Sequence, residues 1–130
     1  MSELKEKKRK MSIVIRFIFG VFLLFFGFDH FFNYIPFPEM APEATAYFGN
    51  LSSTGAMQLV GLVEIAAALA FILNKYGALM AVILMSVSVN AVLFHIALDL
   101  PKIFGALTLL GFNIIMLYIY RRQYVSLLKA

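Results

Sequence analysis

The chain has 130 residues, 62% of them hydrophobic and 14% charged, with a mean hydropathy of +0.89. A soluble domain carries about 25% charged residues, so this composition excludes a water-exposed globule and places the chain in lipid. The absence of cysteine excludes disulfides, thiolate metal sites and dithiol redox chemistry, and with them the membrane enzymes that pass electrons between dithiols and quinones. The net charge of +4 reflects topology and anionic headgroups, and nucleic acid is not an expected partner.

Residues 1–11 read as a short lysine-rich arm, frayed or lying on the headgroups. A first span covers about residues 13–35, interrupted by Arg16 and Asp29. It is too long for a signal-peptide core and has no small-residue cleavage site, so it is read as retained. At about 100° per residue, Arg16, Gly20, Gly27 and His30 share one stripe that faces the other helices, while Asp29 points away from it. The connection that follows is long. Pro36, Pro38 and Pro42 keep its start extended, and Pro42 to Phe48 reads as one or two helical turns stopped by Gly49. It is either an interfacial connector or a lid over the outer mouth.

Three more spans follow at about residues 57–73, 76–98 and 103–120, each near the roughly 20 residues that cross a bilayer. Gly61, Glu64, Ala67 and Ala68 make a small-residue stripe with an acid at its centre. Asn74 to Gly77 is a tight turn, so its flanking spans are antiparallel neighbours. The third span carries two polar stripes, one with Ser88, His95 and Asp99, the other with Ser86 and Asn90; Asn90 and His95 cannot both face the axis. The fourth carries Ala106, Asn113 and Tyr120, with Gly105 and Gly111 offering close approaches. Four spans account for nearly all the residues, giving an all-α, four-helix transmembrane bundle as one domain, 1–130. Lysines and arginines cluster before span 1, at Lys75 and after span 4, so the positive-inside rule puts both termini in the cytoplasm.

Glu64 is the most informative residue. An ionisable group at mid-membrane depth costs roughly 2.5–3.5 kcal/mol on insertion scales, so a partner or a function must compensate it. The structural reading is glue, hydrogen-bonded to Asn113, Asn90 or a backbone carbonyl, yet such interhelical bonds average only about 0.6 kcal/mol. The functional reading is a proton donor or acceptor. His30 and His95 are expected at similar depth near the outer surface. They read as interfacial histidines wetted from outside, partners of a quinone head group, or a proton exit. Axial ligation of a haem b is less favoured, since it needs room and two histidines are a weak signal. Zinc held by His30, His95 and Asp29 or Asp99 is less favoured still, for want of characteristic spacing.

Arg16-x3-Gly20 with Gly27, Leu62-Val63-Glu64-Ile65, and Val89-Asn90-Ala91-Val92-Leu93-Phe94-His95 resemble the DoxX-like family of small bacterial membrane proteins, over about residues 13–125. The resemblance implies a four-helix membrane fold in the bacterial cytoplasmic (inner) membrane. It also implies an association with quinone-dependent oxidation, as a small subunit beside a partner redox protein. Carried over by position, it points to Arg16, Glu64 and His95; where relatives often have a lysine after the second glycine of span 1, this chain has Asp29-His30. The expected site is therefore Glu64 as proton donor or acceptor, with His95, His30, Asn90, Asn113 and Arg16 around a quinone-like lipophilic ligand. A non-catalytic scaffold subunit and a small proton or solute transporter are the alternatives.

Overall fold

The computed structural model describes residues 1–130 and is all-helical. Its elements are α1 (Ser2–Phe32), α2 (Pro42–Ser53), α3 (Ala56–Leu73), α4 (Gly77–Leu98) and α5 (Phe104–Ile119), with short 3-10 turns at Leu100–Lys102, Arg121–Tyr124 and Ser126–Leu128. The helices α1, α3, α4 and α5 pack in that order around a common core, the α1–α3 pair being the most extensive. One end of the molecule, the basic end, holds the Asn74–Tyr76 turn and Arg121; the other, the loop end, holds α2 and the Leu100–Lys102 turn.

Three helices, Ser2–Phe32, Ala56–Leu73 and Gly77–Leu98, are long and apolar enough to cross a membrane. The helix α5 has 16 residues and qualifies only together with Arg121–Leu128, from which it is bent by 71°. Large apolar side chains face outward on every side, Leu62 57%, Leu79 56% and Ile114 51% exposed. That surface would be an aggregation hazard in water and is the ordinary surface of an integral membrane protein.

Two boundaries differ from the sequence expectation. The lysine-rich arm is not frayed: α1 begins at Ser2 and runs unbroken into the apolar span. Lysine, glutamate, arginine and methionine are good helix formers. Glu3 also sits in the first turn, and Lys10 lies 3.6 Å from Glu6 one turn away, both of which favour the helix. The helix α2 runs through Gly49 to Ser53. The stop is Gly55, whose φ of +84° is the left-handed conformation that a helix terminus needs and glycine supplies freely.

The α1–α3 seam is set by reciprocal glycines. A Cβ on Gly61 would lie 2.8 Å from the Gly27 carbonyl oxygen and 2.8 Å from the Cβ of His30; one on Gly27 would lie 3.2 Å from the Cβ of Glu64. Each glycine makes room for the large side chain opposite, so the backbones approach closely, as small residues permit between membrane helices. Gly105 and Gly111 differ from the expectation: nothing lies within 4 Å of a Cβ built on either.

The basic half is densely filled. Phe19, Leu23, Phe71, Leu84 and Met116 are fully buried, and the Phe19 ring stacks on Phe71 and Phe112 at 5.6 and 5.2 Å. The Arg16 guanidinium donates to the Phe71 carbonyl at 3.3 Å. That carbonyl belongs to the last turn of α3, where carbonyls lack helical partners and a cation is favoured. Tyr120 donates to the Asn74 side chain at 2.9 Å and Tyr124 to the Ala78 carbonyl at 2.7 Å, clamping the turn.

Candidate functional site

In an antiparallel helix pair, side chains lean toward the N-terminus of their own helix. His30 on α1 therefore leans toward the basic end and Glu64 on α3 toward the loop end. They meet, with His30 Nε2 3.3 Å from Glu64 Oε2. The Glu64 side chain is 6% exposed and that of His30 21%. The contact is within ion-pair reach but is not aligned as a hydrogen bond, so Glu64 Oε2 is buried with no hydrogen-bond partner. A buried polar oxygen left unsatisfied costs about 1–3 kcal/mol. A second histidine–carboxylate pair lies at the end of α4: His95 Nδ1 is 3.1 Å from the Asp99 carbonyl and 3.6 Å from Asp99 Oδ2. Asp99 Oδ2 is the other buried side-chain oxygen without a partner.

Both pairs line a hollow in the loop half. A cavity of about 460 Å³ lies between α3 and α4 beneath α2. Another of about 510 Å³ lies between α1 and α5, under the 35–40 segment. His30, Glu64, Ala91, Phe94, His95 and Leu109 border both, so Glu64 and its histidine stand in the wall between them. The helix α2 roofs the hollow: Tyr47 stacks on Phe94 at 5.4 Å, and Phe48 meets the Phe94 ring edge-on at 5.0 Å.

Several expected site residues take other places. Asn113 does not partner Glu64. It is fully buried, accepts from Ser88 at 2.6 Å and donates to the Ala81 carbonyl at 2.9 Å, tying α5 to α4. Asn90 does not partner Glu64 either: its amide donates to the Ser86 carbonyl of its own helix at 2.7 Å, and it stands exposed at the rim of the first cavity. Of Asn90 and His95, it is His95 whose stripe faces inward, alongside fully buried Ser88 and Ala81. Arg16 borders neither cavity and belongs to the basic end. Asp29 accepts the Ile35 N–H at 2.8 Å, sealing the chain reversal after α1. The histidines and carboxylates do not gather into a three-ligand metal set.

The His30–Glu64 contact is the feature that sequence reading missed. The signal for it was present in the two glycine stripes, since pairing Gly27 with Glu64 and Gly61 with His30 fixes the register. Depth counted along each span separately put the two residues at different levels. No family model, no curated protein and no solved structure matches the chain.

Proposed function

We propose that the chain is a DoxX-like four-helix transmembrane protein of a bacterial inner membrane, with both termini cytoplasmic. In this reading the loop half binds a lipophilic, carbonyl-bearing ligand of the quinone class, and Glu64 with His30 handles its proton. The observation that carries the proposal is Glu64 Oε2, a buried carboxyl oxygen that accepts no hydrogen bond from the chain and has His30 Nε2 3.3 Å away, beside cavities of about 460 and 510 Å³. Those volumes fall within the range of small-molecule sites, roughly 300–1,000 Å³. A protonated carboxyl there can donate to a ligand carbonyl, and His30 is placed to take up or return that proton. Phe94 and Leu109 supply apolar walls for a ring. Electrons would pass to or from a partner redox protein in the membrane; this chain's residues bind, orient and move protons.

The two rival readings are less well supported. The cross-helix contact of Glu64 to His30 is not aligned as a hydrogen bond, which weighs against Glu64 as a scaffold contact. A route across the membrane would have to pass Phe19, Leu23, Phe71, Leu84 and Met116, all fully buried, which weighs against a transporter.

The test uses protein in lipid nanodiscs and decyl-substituted benzoquinone, read as the quinone-induced rise in Tm. Wild type should be stabilised. Glu64→Gln should keep the fold, because the amide matches the shape, and should weaken the stabilisation, because the amide has no acidic proton to pass to the ligand. Glu64→Leu should lose the stabilisation. An unchanged quinone response in Glu64→Leu would refute the reading.

A further inference from the structure

The two cavities that meet at Glu64 differ in kind. In the α3–α4 cavity, 11 of 16 lining residues are hydrophobic; in the α1–α5 cavity, 11 of 23 are. The first is bordered by Leu59, Val60, Val63 and Val87, of which Leu59 is 61% exposed. That rim presents the kind of apolar surface that hydrocarbon accepts. Of its polar members away from Glu64 and the histidines, Ser86 donates its hydroxyl to the Ile83 carbonyl and Asn90 donates one amide N–H to the Ser86 carbonyl of their own helix, back-bonding that polar side chains on a helix use where other partners are scarce. The second cavity carries Asp29, Asn33, Ser52, Gln58, Asp99 and Lys102, at the ends of helices and in the loops between them. That mouth gathers its polar groups at the loop end, with Phe22 and Phe26 further along α1.

We infer that the site has two separate mouths: a ligand with a small polar head and an apolar tail enters from the bilayer between α3 and α4, while protons reach Glu64 from loop-side water between α1 and α5. The inference rests on the proposed binding of a lipophilic ligand at Glu64 and adds its chemical form and its two routes. The head lies against Glu64 Oε2 and the tail stays among the apolar side chains of the α3–α4 rim. The titratable groups that share the hollow with Glu64 are His30 and Asp29 from α1, His95 and Asp99 from the α4 end, and Lys102 from the turn before α5, with Asp29 engaged by the Ile35 N–H and Lys102 by the Glu39 carbonyl. His30 is the one in contact, so a proton exchanged with the ligand passes between Glu64 Oε2, His30 Nε2 and water at the polar mouth. The basic half gives no polar continuation, because the Asn113 side chain is committed to Ser88 and Ala81.

Because the chain has no cysteine, single cysteines carry a nitroxide label at chosen sites without further changes. In nanodiscs, a label at Asn90→Cys should relax with dissolved oxygen, which partitions into lipid, and not with a water-soluble nickel chelate; a label at Gln58→Cys should show the reverse. Nickel access at position 90, or oxygen-dominated relaxation at position 58, overturns the inference. A second measurement uses Asn90→Phe, which narrows the lipid mouth from an exposed position. It should lower the apparent affinity for decyl-benzoquinone at least tenfold and change that for tail-free benzoquinone less than twofold. Equal losses for the two ligands overturn lateral entry. Absence of binding by either quinone to the wild type refutes the proposed function, and the label accessibilities still decide the two mouths.

Discussion

The two halves of this molecule are built from the same four helices and obey opposite rules. In the basic half, every internal polar group that matters is used. Arg16 satisfies a helix-terminal carbonyl, Asn113 joins two helices, Tyr120 and Tyr124 clamp a turn, and the space between is filled by Phe19, Leu23, Phe71, Leu84 and Met116. In the loop half, both buried carboxyl groups keep an oxygen with no hydrogen bond, each beside a histidine nitrogen, and two cavities open around them. A chain that can close its core at one end and leaves it open at the other shows where stability was given up, and such places are where function is expected.

The largest effect expected from breaking this contrast is in the packed half. Phe71→Ala removes a fully buried ring stacked on Phe19 and should cost about 3–5 kcal/mol, read by reversible unfolding in mixed micelles. Phe48→Ala removes a half-buried ring over the hollow and should cost less than half as much; under the proposed function it should also weaken the quinone-induced stabilisation. Equal costs would dissolve the distinction between the halves.

Next comes the seam that joins them. Gly61→Ala places a methyl 2.8 Å from a backbone oxygen of α1, and backbone cannot step aside as a side chain can. Overpacking of this kind costs about 1–3 kcal/mol. The same change at Gly111, where a Cβ meets nothing within 4 Å, should be neutral or slightly stabilising, since alanine is the better helix former.

Glu64→Leu should change stability by less than about 1 kcal/mol in either direction. Interhelical polar contacts in membranes are worth about 0.6 kcal/mol on average, and the removed oxygen was unsatisfied to begin with. A loss of several kcal/mol on the same unfolding assay would make Glu64 a structural keystone.

Much of this was legible in the residues. The stripes Arg16–Gly20–Gly27–His30 and Gly61–Glu64–Ala67–Ala68 face inward, and the Asn74–Tyr76 turn is tight, because helical periodicity and left-handed turn residues are local properties. The partner of Glu64 was not legible by the same means. Asn113 and Asn90 lie at the right depth, but choosing among partners depends on the register between helices, which the glycines fix at a resolution finer than one turn. The extent of the first helix was also hidden. Lysine-rich sequence suggests a solvated arm, yet its intrinsic helix propensity continues a helix already nucleated by the span behind it.

The smallest effect separates two polar residues only two positions apart on α4. Ser88 is fully buried and lies 2.6 Å from Asn113 Oδ1; Asn90 is exposed and bonded to its own helix. Ser88→Ala leaves a buried amide oxygen of Asn113 without its partner and should cost about 1 kcal/mol. Asn90→Ala removes only a back-bond to the Ser86 carbonyl, an acceptor on its own helix that helical geometry satisfies independently, so its cost should stay within about 0.5 kcal/mol. Measured side by side, the two substitutions ask which stripe of α4 belongs to the protein interior. A cost at Asn90 equal to that at Ser88 would mean that the α3–α4 rim is held closed by a contact through Asn90, and the lipid mouth would then have to lie elsewhere.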